Sequence, residues 1–216
     1  LRKGNIIISP YNAKNLATVS YDVTLGQHYF RETRPQEGYT IYNPYSKREV
    51  ERVWGKKSET ATSVKAWVEE HGEQTHLLDG MKPADEVIWI APGETILGHT
   101  NVFIGGGGGI VTTMMKASSS WGRNFIEVCK CAGWGDVGYI NRWTMEITNN
   151  SRYYHIPLIV GRRIAQIVFF EVEPIEGGEY HSDGKYQSHF DLKKLQKEWR
   201  PEMMLPRLYK DREIKK

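Results

Sequence analysis

The chain has 216 residues, of which 39% are hydrophobic and 25% are charged. This composition is typical of a globular protein with a sizeable core and excludes an intrinsically disordered chain. The 29 basic and 26 acidic residues leave a net charge of +3, so the sequence does not predict a surface that binds nucleic acid. No hydrophobic run approaches the roughly 18 residues of a membrane helix, so we expect no membrane contact.

Cysteine usage predicts the redox environment. The two cysteines are Cys129 and Cys131. In a strand this spacing places both side chains on one face, but too far apart for a disulfide of normal geometry. Since no secretory signal peptide is recognisable either, we expect a reduced, cytoplasmic protein.

Short segments rich in β-branched and aromatic residues recur along most of the chain and predict a mostly β domain. Gly, Pro and Asn residues separate them, as turns require. The predicted strands cover residues 5–9, 19–25, 86–90, 94–99, 110–115, 125–131, 142–148, 155–160 and 163–172.

Two further segments have the periodicity of helices. In residues 46–72 apolar positions recur at helical spacing between charged residues, which predicts two short helices inserted into the β domain. Residues 191–199 predict a last helix, ended by Pro201. The apolar positions of the first segment are Val50, Val53, Trp54, Val64, Trp67 and Val68.

Residues 105–109 are five consecutive glycines. They lack the Lys-Ser/Thr of a phosphate-binding loop and the spacing of a dinucleotide fingerprint. We therefore expect the flexible tip of a hairpin.

Residues 116–149 gather most of the polar groups that could perform chemistry. A serine triplet precedes Arg123, so one short turn could direct hydroxyl groups and a guanidinium at the same anion, although a plain polar turn is the alternative. Asp136 lies in a Gly- and aromatic-rich turn that could approach a ligand or simply be a turn. Glu146 stands in an apolar strand. The pattern alone favours a solvent-facing carboxylate, whereas burial would raise its pKa and suit a general base.

Two kinds of catalytic site are disfavoured. His71-Gly72-Glu73 matches the first half of the zinc-deaminase motif, but the cysteines have Cys-x-Cys spacing with no proline before them. The serine triplet lies in no Gly-x-Ser-x-Gly elbow and has no nearby histidine. We expect neither a zinc site nor a serine nucleophile.

The chain resembles the dCTP deaminases, zinc-independent members of the dUTPase-like superfamily, at several points in the same order. The matching segments are Gly-x-Ile-x-Ile-x-Pro at 4–10, Ser-Tyr-Asp-Val-x-Leu-Gly at 20–26, Ser-Ser-x-Gly-Arg at 119–123, Ala-Gly-Trp-x-Asp-x-Gly-Tyr at 132–139, Thr-Met-Glu at 144–146, the strand pair at 157–169, Tyr180, and Lys-Tyr-Gln at 185–187.

This resemblance implies a mostly β, distorted barrel of the dUTPase type (a β-clip) with short inserted helices, assembled as a homotrimer with sites shared between subunits. Residues 1–175 would form the β domain, with the helical insertion at 46–72. Residues 176–216 would form a C-terminal tail that closes over the nucleotide.

The resemblance also implies hydrolytic deamination of dCTP to dUTP. Glu146 matches the glutamate that takes a proton from water and passes it to the pyrimidine. Ser119 and Arg123 match the pair that orients the water and the base and stabilises the developing charge. Mg²⁺ would be bound mainly through the triphosphate, without dedicated protein ligands. The implied substrate-binding residues are Ser120, Ala132, Gly133, Trp134, Tyr139, Gln166, Tyr180, Lys185 and Gln187.

The turn after Ala132 bears on the product. Deaminases that stop at dUTP tend to carry His-Arg there, whereas relatives that also form dUMP and diphosphate tend to carry Gly and an aromatic residue, as in Gly133-Trp134. Asp136 would then help a water molecule attack the α-phosphorus.

A dUTP diphosphatase and a catalytically inactive nucleotide-binding regulator remain as alternatives. A modified cytosine nucleotide also remains open as the substrate, because the chain departs from the family pattern at Ser118, Gly135, Val137, Asn141 and His189.

Overall fold

A computed structural model of the protein describes residues 4–72, 78–178, 180, 184–187, 189–211 and 213–214. In this part of the chain the protein is mostly β, and no helix has the length and apolar character needed to cross a membrane. The strands are β1 (Ile6–Ser9), β2 (Tyr21–Thr24), β3 (His28–Arg31), β4 (Glu59–Thr60), β5 (Thr62–Ser63), β6 (Glu86–Ile90), β7 (Thr95–Gly106), β8 (Val111–Ala117), β9 (Ile126–Val128), β10 (Trp134–Gly135), β11 (Ile140–Asn149), β12 (Ile156–Ile159) and β13 (Arg163–Glu171).

The helices are short. The α-helices are α1 (Lys47–Trp54), α2 (Val64–His71), α3 (Ser119–Arg123) and α4 (Leu192–Glu198), and 3-10 helices cover Ala13–Asn15, Pro201–Met204 and Leu208–Lys210. Helix α4 begins at its N-cap Asp191, whose side chain accepts hydrogen bonds from the backbone N–H groups of Lys193 and Lys194. This capping satisfies donors that have no partner within the helix.

The strands form three antiparallel sheets. The largest has the order β4-β3-β7-β11-β9, with β1 paired to β7 as well. A second sheet has the order β10-β8-β13-β2, and a third the order β12-β6-β5. Strand β11 thus lies between β7 and β9, an arrangement that positions the site described below.

The core lies between the sheets and extends to the C-terminal segment. Strand alternation directs Val23, Met145 and Ile147 inward, where each is completely buried. Leu195 of α4 packs with Phe103 and Ile140, and Met204 packs with Phe30 and Leu97. Because burying one such side chain contributes about 1.5–3 kcal/mol, these contacts hold the C-terminal helices on the β domain.

A bulge in β7 changes its register with β11. Arg142 pairs with Phe103 but Thr144 pairs with His99, so β7 advances four residues while β11 advances two. The backbone N–H of Trp143 donates to Oγ1 of Thr100 (2.9 Å), and this hydroxyl donates to the carbonyl of Val102 (2.8 Å). The bulge is therefore held by hydrogen bonds and redirects the side chains beside it.

The predicted elements are largely confirmed. Each of the nine predicted strands overlaps an observed strand, residues 46–72 contain α1 and α2, and residues 191–199 contain α4. The sequence did not indicate β3, β4, β5 and β10, which have two to four residues each and too little sequence for an alternating pattern.

The prediction for the five glycines is wrong. They do not form a hairpin tip, because β7 and β8 belong to different sheets. Gly105 and Gly106 end β7 and are buried. A Cβ at Gly105 would overlap the Tyr139 carbonyl oxygen, and one at Gly106 would overlap that of Val111. These glycines allow a close approach of two backbones, and only the turn that follows is the loop expected.

The strand placement of the cysteines is also wrong. Strand β9 ends at Val128, and Cys129 and Lys130 have positive φ angles of 62° and 42°. Cys129 is buried whereas Cys131 is exposed, so they do not share a strand face. Both are free thiols.

Candidate active site

A cavity of about 340 Å³ opens beside β11. Three parts of the chain form its wall: one face of β7 and β11, the turn-rich segment 132–139, and the C-terminal segment beyond β13. We call the segment 132–139 the hairpin for its turn, although its strand β10 pairs with β8 and not with β11. The lining residues are Leu97, Ala132, Trp134, Asp136, Tyr139, Trp143, Thr144, Glu146, Tyr180, Tyr186, Met204 and Pro206.

Glu146 is the carboxylate on the strand floor of this pocket. Along β11 the buried residues Met145 and Ile147 alternate with the half-buried Thr144 and Glu146, which therefore share the pocket face. Burial is the main cause that raises the pKa of Glu146, and nearby Lys130 offsets only part of this effect. A carboxylate with a raised pKa is a better proton acceptor near neutral pH than an ordinary surface glutamate.

Glu146 has an apolar neighbour on one side and a polar backbone segment on the other. On the first side it lies directly opposite Leu97 in the antiparallel pair of β7 and β11. On the other side, the backbone N–H of Cys129 donates to the Glu146 carbonyl (3.0 Å), and the chain continues from there into the hairpin 132–139. The carboxylate therefore has an apolar side chain on one flank and an approaching turn on the other.

The hairpin packs closely on its surroundings because it contains glycines. Gly133 accepts a hydrogen bond from Met115 N–H (2.7 Å), and a Cβ there would overlap the Met115 carbonyl oxygen. At Gly135 a Cβ would overlap Oγ1 of Thr113 and the ring of Trp143. The departure from the family pattern at Gly135 is thus explained by the Trp143 ring, which occupies the space of a side chain.

The hairpin presents one carboxylate and two aromatic rings at the pocket. Asp136 is exposed, and Trp134 is 55% exposed with its ring stacked near Phe170. Tyr139 meets Trp143 and Tyr180 edge to face, with ring centroids 5.3 and 5.1 Å apart. Burial raises the pKa of Tyr139, so its hydroxyl stays protonated and the ring forms a neutral wall.

The C-terminal segment is fastened to this hairpin within the same chain. Oε1 of Gln187 accepts from Ile140 N–H (2.7 Å), while Nε2 donates to the carbonyls of Gly138 (2.9 Å) and His189 (3.1 Å). Tyr180 N–H donates to the Val137 carbonyl (3.0 Å). These bonds place Tyr180 along one side of the pocket, which Tyr186 also lines.

The pocket brings together about half of the residues predicted from the sequence. Ala132, Trp134, Asp136, Tyr139, Glu146 and Tyr180 all line it, and Gly133 is buried within the hairpin.

The other predicted residues lie outside the pocket in this chain. Ser119, Ser120 and Arg123 are exposed on α3, and Gln166 is exposed on β13. Lys185 forms an ion pair with Asp211 (2.9 Å) and lines a neighbouring cavity. Gln187 is 4% exposed and uses its amide to hold the hairpin instead of facing the pocket, since a buried amide requires such partners.

The sequence did not identify several lining residues: Leu97, Trp143, Thr144, Tyr186, Met204 and Pro206. Thr144 could have been found, because it lies two residues from Glu146 on one strand and must share its face. Met204 and Pro206 carry no local signal, since long-range packing alone brings them to the pocket.

The described residues contain no group of three or more His, Cys, Asp or Glu side chains that could hold a metal ion. The carboxylates that line the pocket in this part of the chain are Asp136 and Glu146. Two carboxylates are too few to enclose a metal ion by themselves. They can instead accept a proton or contact a cation that the ligand brings with it.

Comparison with known proteins shows which chains this protein is similar to. A family model described as dCTP deaminase-like matches residues 1–172. A protein named "dCTP deaminase, dUMP-forming" from Methanococcus maripaludis is 27% identical over 193 residues, which cover 88% of this chain and 85% of the relative. A protein of the same name from Methanosphaerula palustris is 28% identical over 189 residues, covering 87% and 84%.

The fold is also found among solved structures. The crystal structure of 2'-deoxycytidine 5'-triphosphate deaminase from Agrobacterium tumefaciens matches with a TM-score of 0.51 and 13% identity, and the match covers 80% of this chain and 45% of that chain. The predicted mostly β fold class is confirmed, and this chain shares the fold of that deaminase. Because the family model covers most of its length, the chain belongs to the dCTP deaminase-like family.

Proposed function

We propose that this protein catalyses the hydrolytic, zinc-independent deamination of dCTP. The observation that carries the proposal is Glu146, a half-buried carboxylate with a raised pKa in a pocket beside a backbone-rich hairpin. Such a carboxylate can accept a proton from water without a metal ion to acidify it. Family membership and the names of the relatives support this reaction.

In the proposed reaction the Glu146 carboxylate takes a proton from a water molecule as the water oxygen bonds to C4 of the cytosine. That proton passes through Glu146 to N3 of the pyrimidine, the second proton of the water passes to the amino group, and the C4–N bond breaks as the C4=O bond forms. Ammonia leaves and the uracil nucleotide remains, so that dCTP and water give dUTP and ammonia. Backbone groups of the hairpin 132–139 would bind the polar edge of the base, and Tyr139 would pack against the deoxyribose.

The second proposed step removes diphosphate, which gives dUMP. Asp136 is exposed at the pocket, where it could orient a water molecule toward the α-phosphorus. The Gly133-Trp134 turn and the dUMP-forming names of the relatives support this product. Mg²⁺ would enter with the nucleotide, held mainly by the triphosphate, and would neutralise phosphate charge.

The proposed assembly is a homotrimer with shared sites. Ser119, Ser120 and Arg123 are exposed on α3 and lie outside the pocket of their own chain. If they orient the water and grip the triphosphate, a second copy must bring them to the pocket. In a closed cyclic assembly every subunit can receive these three residues from its neighbour.

Incubation with dCTP and Mg²⁺, followed by separation of dUTP, dUMP and ammonia, tests both steps. We expect equal amounts of ammonia and dUMP, with little free dUTP. In Asp136→Asn, ammonia release should persist while dUTP accumulates, whereas the exposed control Asp79→Asn should give dUMP. No ammonia from dCTP would overturn the deaminase. Consumption of dUTP alone would then identify a diphosphatase, and binding of dCTP without turnover would identify a regulator.

A further inference from the structure

One wall of the pocket is apolar and comes from two distant parts of the chain. Leu97 belongs to β7, whereas Met204 ends the 3-10 helix Pro201–Met204. Both line the pocket, both are almost fully buried (4% and 3% exposed), and they pack together with Phe30. Met204 lies beyond residues 1–172, the part that the family model matches, so this wall includes a contribution outside that match.

Strand register places this wall beside the catalytic carboxylate. Leu97 and Glu146 are direct partners in the antiparallel pair of β7 and β11. Side chains of directly paired residues project from the same face, with Cβ atoms about 4.5–5.5 Å apart. Met204 packs on Leu97, so its thioether extends the apolar surface that begins next to Glu146.

The hairpin lies on the opposite flank of Glu146. Strand β9 pairs with β11 on the side away from β7. The residue after β9, Cys129, donates to the Glu146 carbonyl, and the chain then reaches Ala132 at the pocket. A ligand over Glu146 therefore has backbone polar groups on one side and the Leu97–Met204 wall on the other.

The two edges of a cytosine ring match these two flanks. O2 and N3 need hydrogen-bond partners, which the hairpin backbone can supply. C5 is bonded to C4, the carbon that reacts beside Glu146, and the C5–C6 edge carries only hydrogen atoms. Placing that edge on Leu97 and Met204 leaves no polar group buried without a partner.

Resting on the proposed deamination, we propose that Leu97 and Met204 form a C5 subsite in which Met204 limits the size of the substituent on the pyrimidine. The pocket then favours dCTP over cytosine nucleotides with a large group at C5. Because Met204 is buried against Leu97 and Phe30, a bulky substituent has to displace a packed side chain.

The test compares kcat/KM for ammonia release from dCTP, 5-methyl-dCTP and 5-iodo-dCTP. In Met204→Ala the ratio of 5-iodo-dCTP to dCTP should rise about tenfold or more, since a cavity replaces the thioether. Met203→Ala is the matched control: Met203 lies in the same helix but lines a different cavity, so the ratio should stay at the wild-type value. Leu97→Val opens less space at lower structural cost and should raise the ratio by a smaller factor.

Failure of the C5 subsite and failure of the proposed deaminase give different results. An unchanged ratio in a Met204→Ala protein that is folded and deaminates dCTP would overturn the subsite alone. An equal increase in Met203→Ala would overturn it as well, because the effect would then not come from the wall. A wild-type protein that releases no ammonia from dCTP would overturn the deaminase itself.

Discussion

The pocket around Glu146 and the helix α3 carry the two halves of the predicted catalytic group, and they are built differently. Glu146 lies in a cavity whose walls come from three parts of one chain. Ser119 and Arg123 lie on a five-residue helix with their side chains in solvent. Trp121 anchors that helix by packing on the core and by donating from Nε1 to the Arg163 carbonyl (2.8 Å).

This difference has a physical reason. A carboxylate becomes a useful base when burial raises its pKa, so one chain must enclose it before the substrate arrives. An arginine that stabilises charge is costly to bury alone, yet it contributes little while water screens it. A contact that encloses Arg123 only upon assembly satisfies both requirements. We therefore predict that Glu146 and Arg123 of one active site come from different subunits.

The largest expected effect is the loss of the base. Glu146→Gln preserves the shape of the side chain but cannot accept the proton, so kcat for ammonia release should fall about 10²- to 10⁴-fold. Calorimetric titration should find dCTP binding nearly unchanged. The control is Glu127→Gln, because Glu127 is half-buried on the adjacent β9 but does not line the pocket. Near-normal ammonia release from folded Glu146→Gln would contradict the assignment.

Arg123→Ala should lower kcat about 10²- to 10³-fold, as expected for the loss of one charge-stabilising donor. Mixing tests whether that donor comes from another chain. When Glu146→Gln and Arg123→Ala subunits are dissociated and reassembled at equal ratio, about a quarter of the shared sites combine both intact residues. Activity should therefore reappear from two inactive proteins. If it does not, although mass spectrometry detects mixed oligomers, both residues act within one chain.

The sequence indicated the local structure around Ser119 more directly than the pocket. The serine triplet before an arginine predicted a short polar turn from local chemistry alone, and the chain forms the five-residue helix α3 there. For Glu146 the local pattern favoured solvent, which is wrong, because the C-terminal segment covers that face of β11. The resemblance, which contains long-range information, placed Glu146 among the site residues, and Glu146 does line the pocket. Met204 was not predictable, since it lies 33 residues beyond the end of β13 and only long-range packing on Leu97 and Phe30 brings it to the pocket.

A third prediction concerns the hydrogen bonds of Gln187, which hold the wall of the pocket and do not involve α3. Gln187→Ala leaves the N–H of Ile140 and the carbonyl of Gly138 without their side-chain partner, so the free energy of unfolding should fall by about 1–3 kcal/mol. Urea unfolding measures this change. Gln166→Ala is the matched control, because that glutamine is exposed on β13. Equal stability of the two variants would mean that the tail does not anchor the hairpin in solution.

The smallest expected effect is the pH dependence that the buried base imposes on stability. The folded protein holds the Glu146 proton at pH values where the unfolded chain has lost it, because burial raises the pKa above its ordinary value of 4.5. The resulting stabilisation is full below the unfolded pKa and is lost as the pH rises through the folded pKa. Glu146→Gln has no such loss, so its free energy of unfolding relative to wild type should increase with pH across this window. Arg123→Ala should produce no similar trend, because Arg123 is exposed. A pH-independent difference between Glu146→Gln and wild type would mean that the Glu146 carboxylate is solvated. The pocket and α3 would then not differ in how they treat their charged groups.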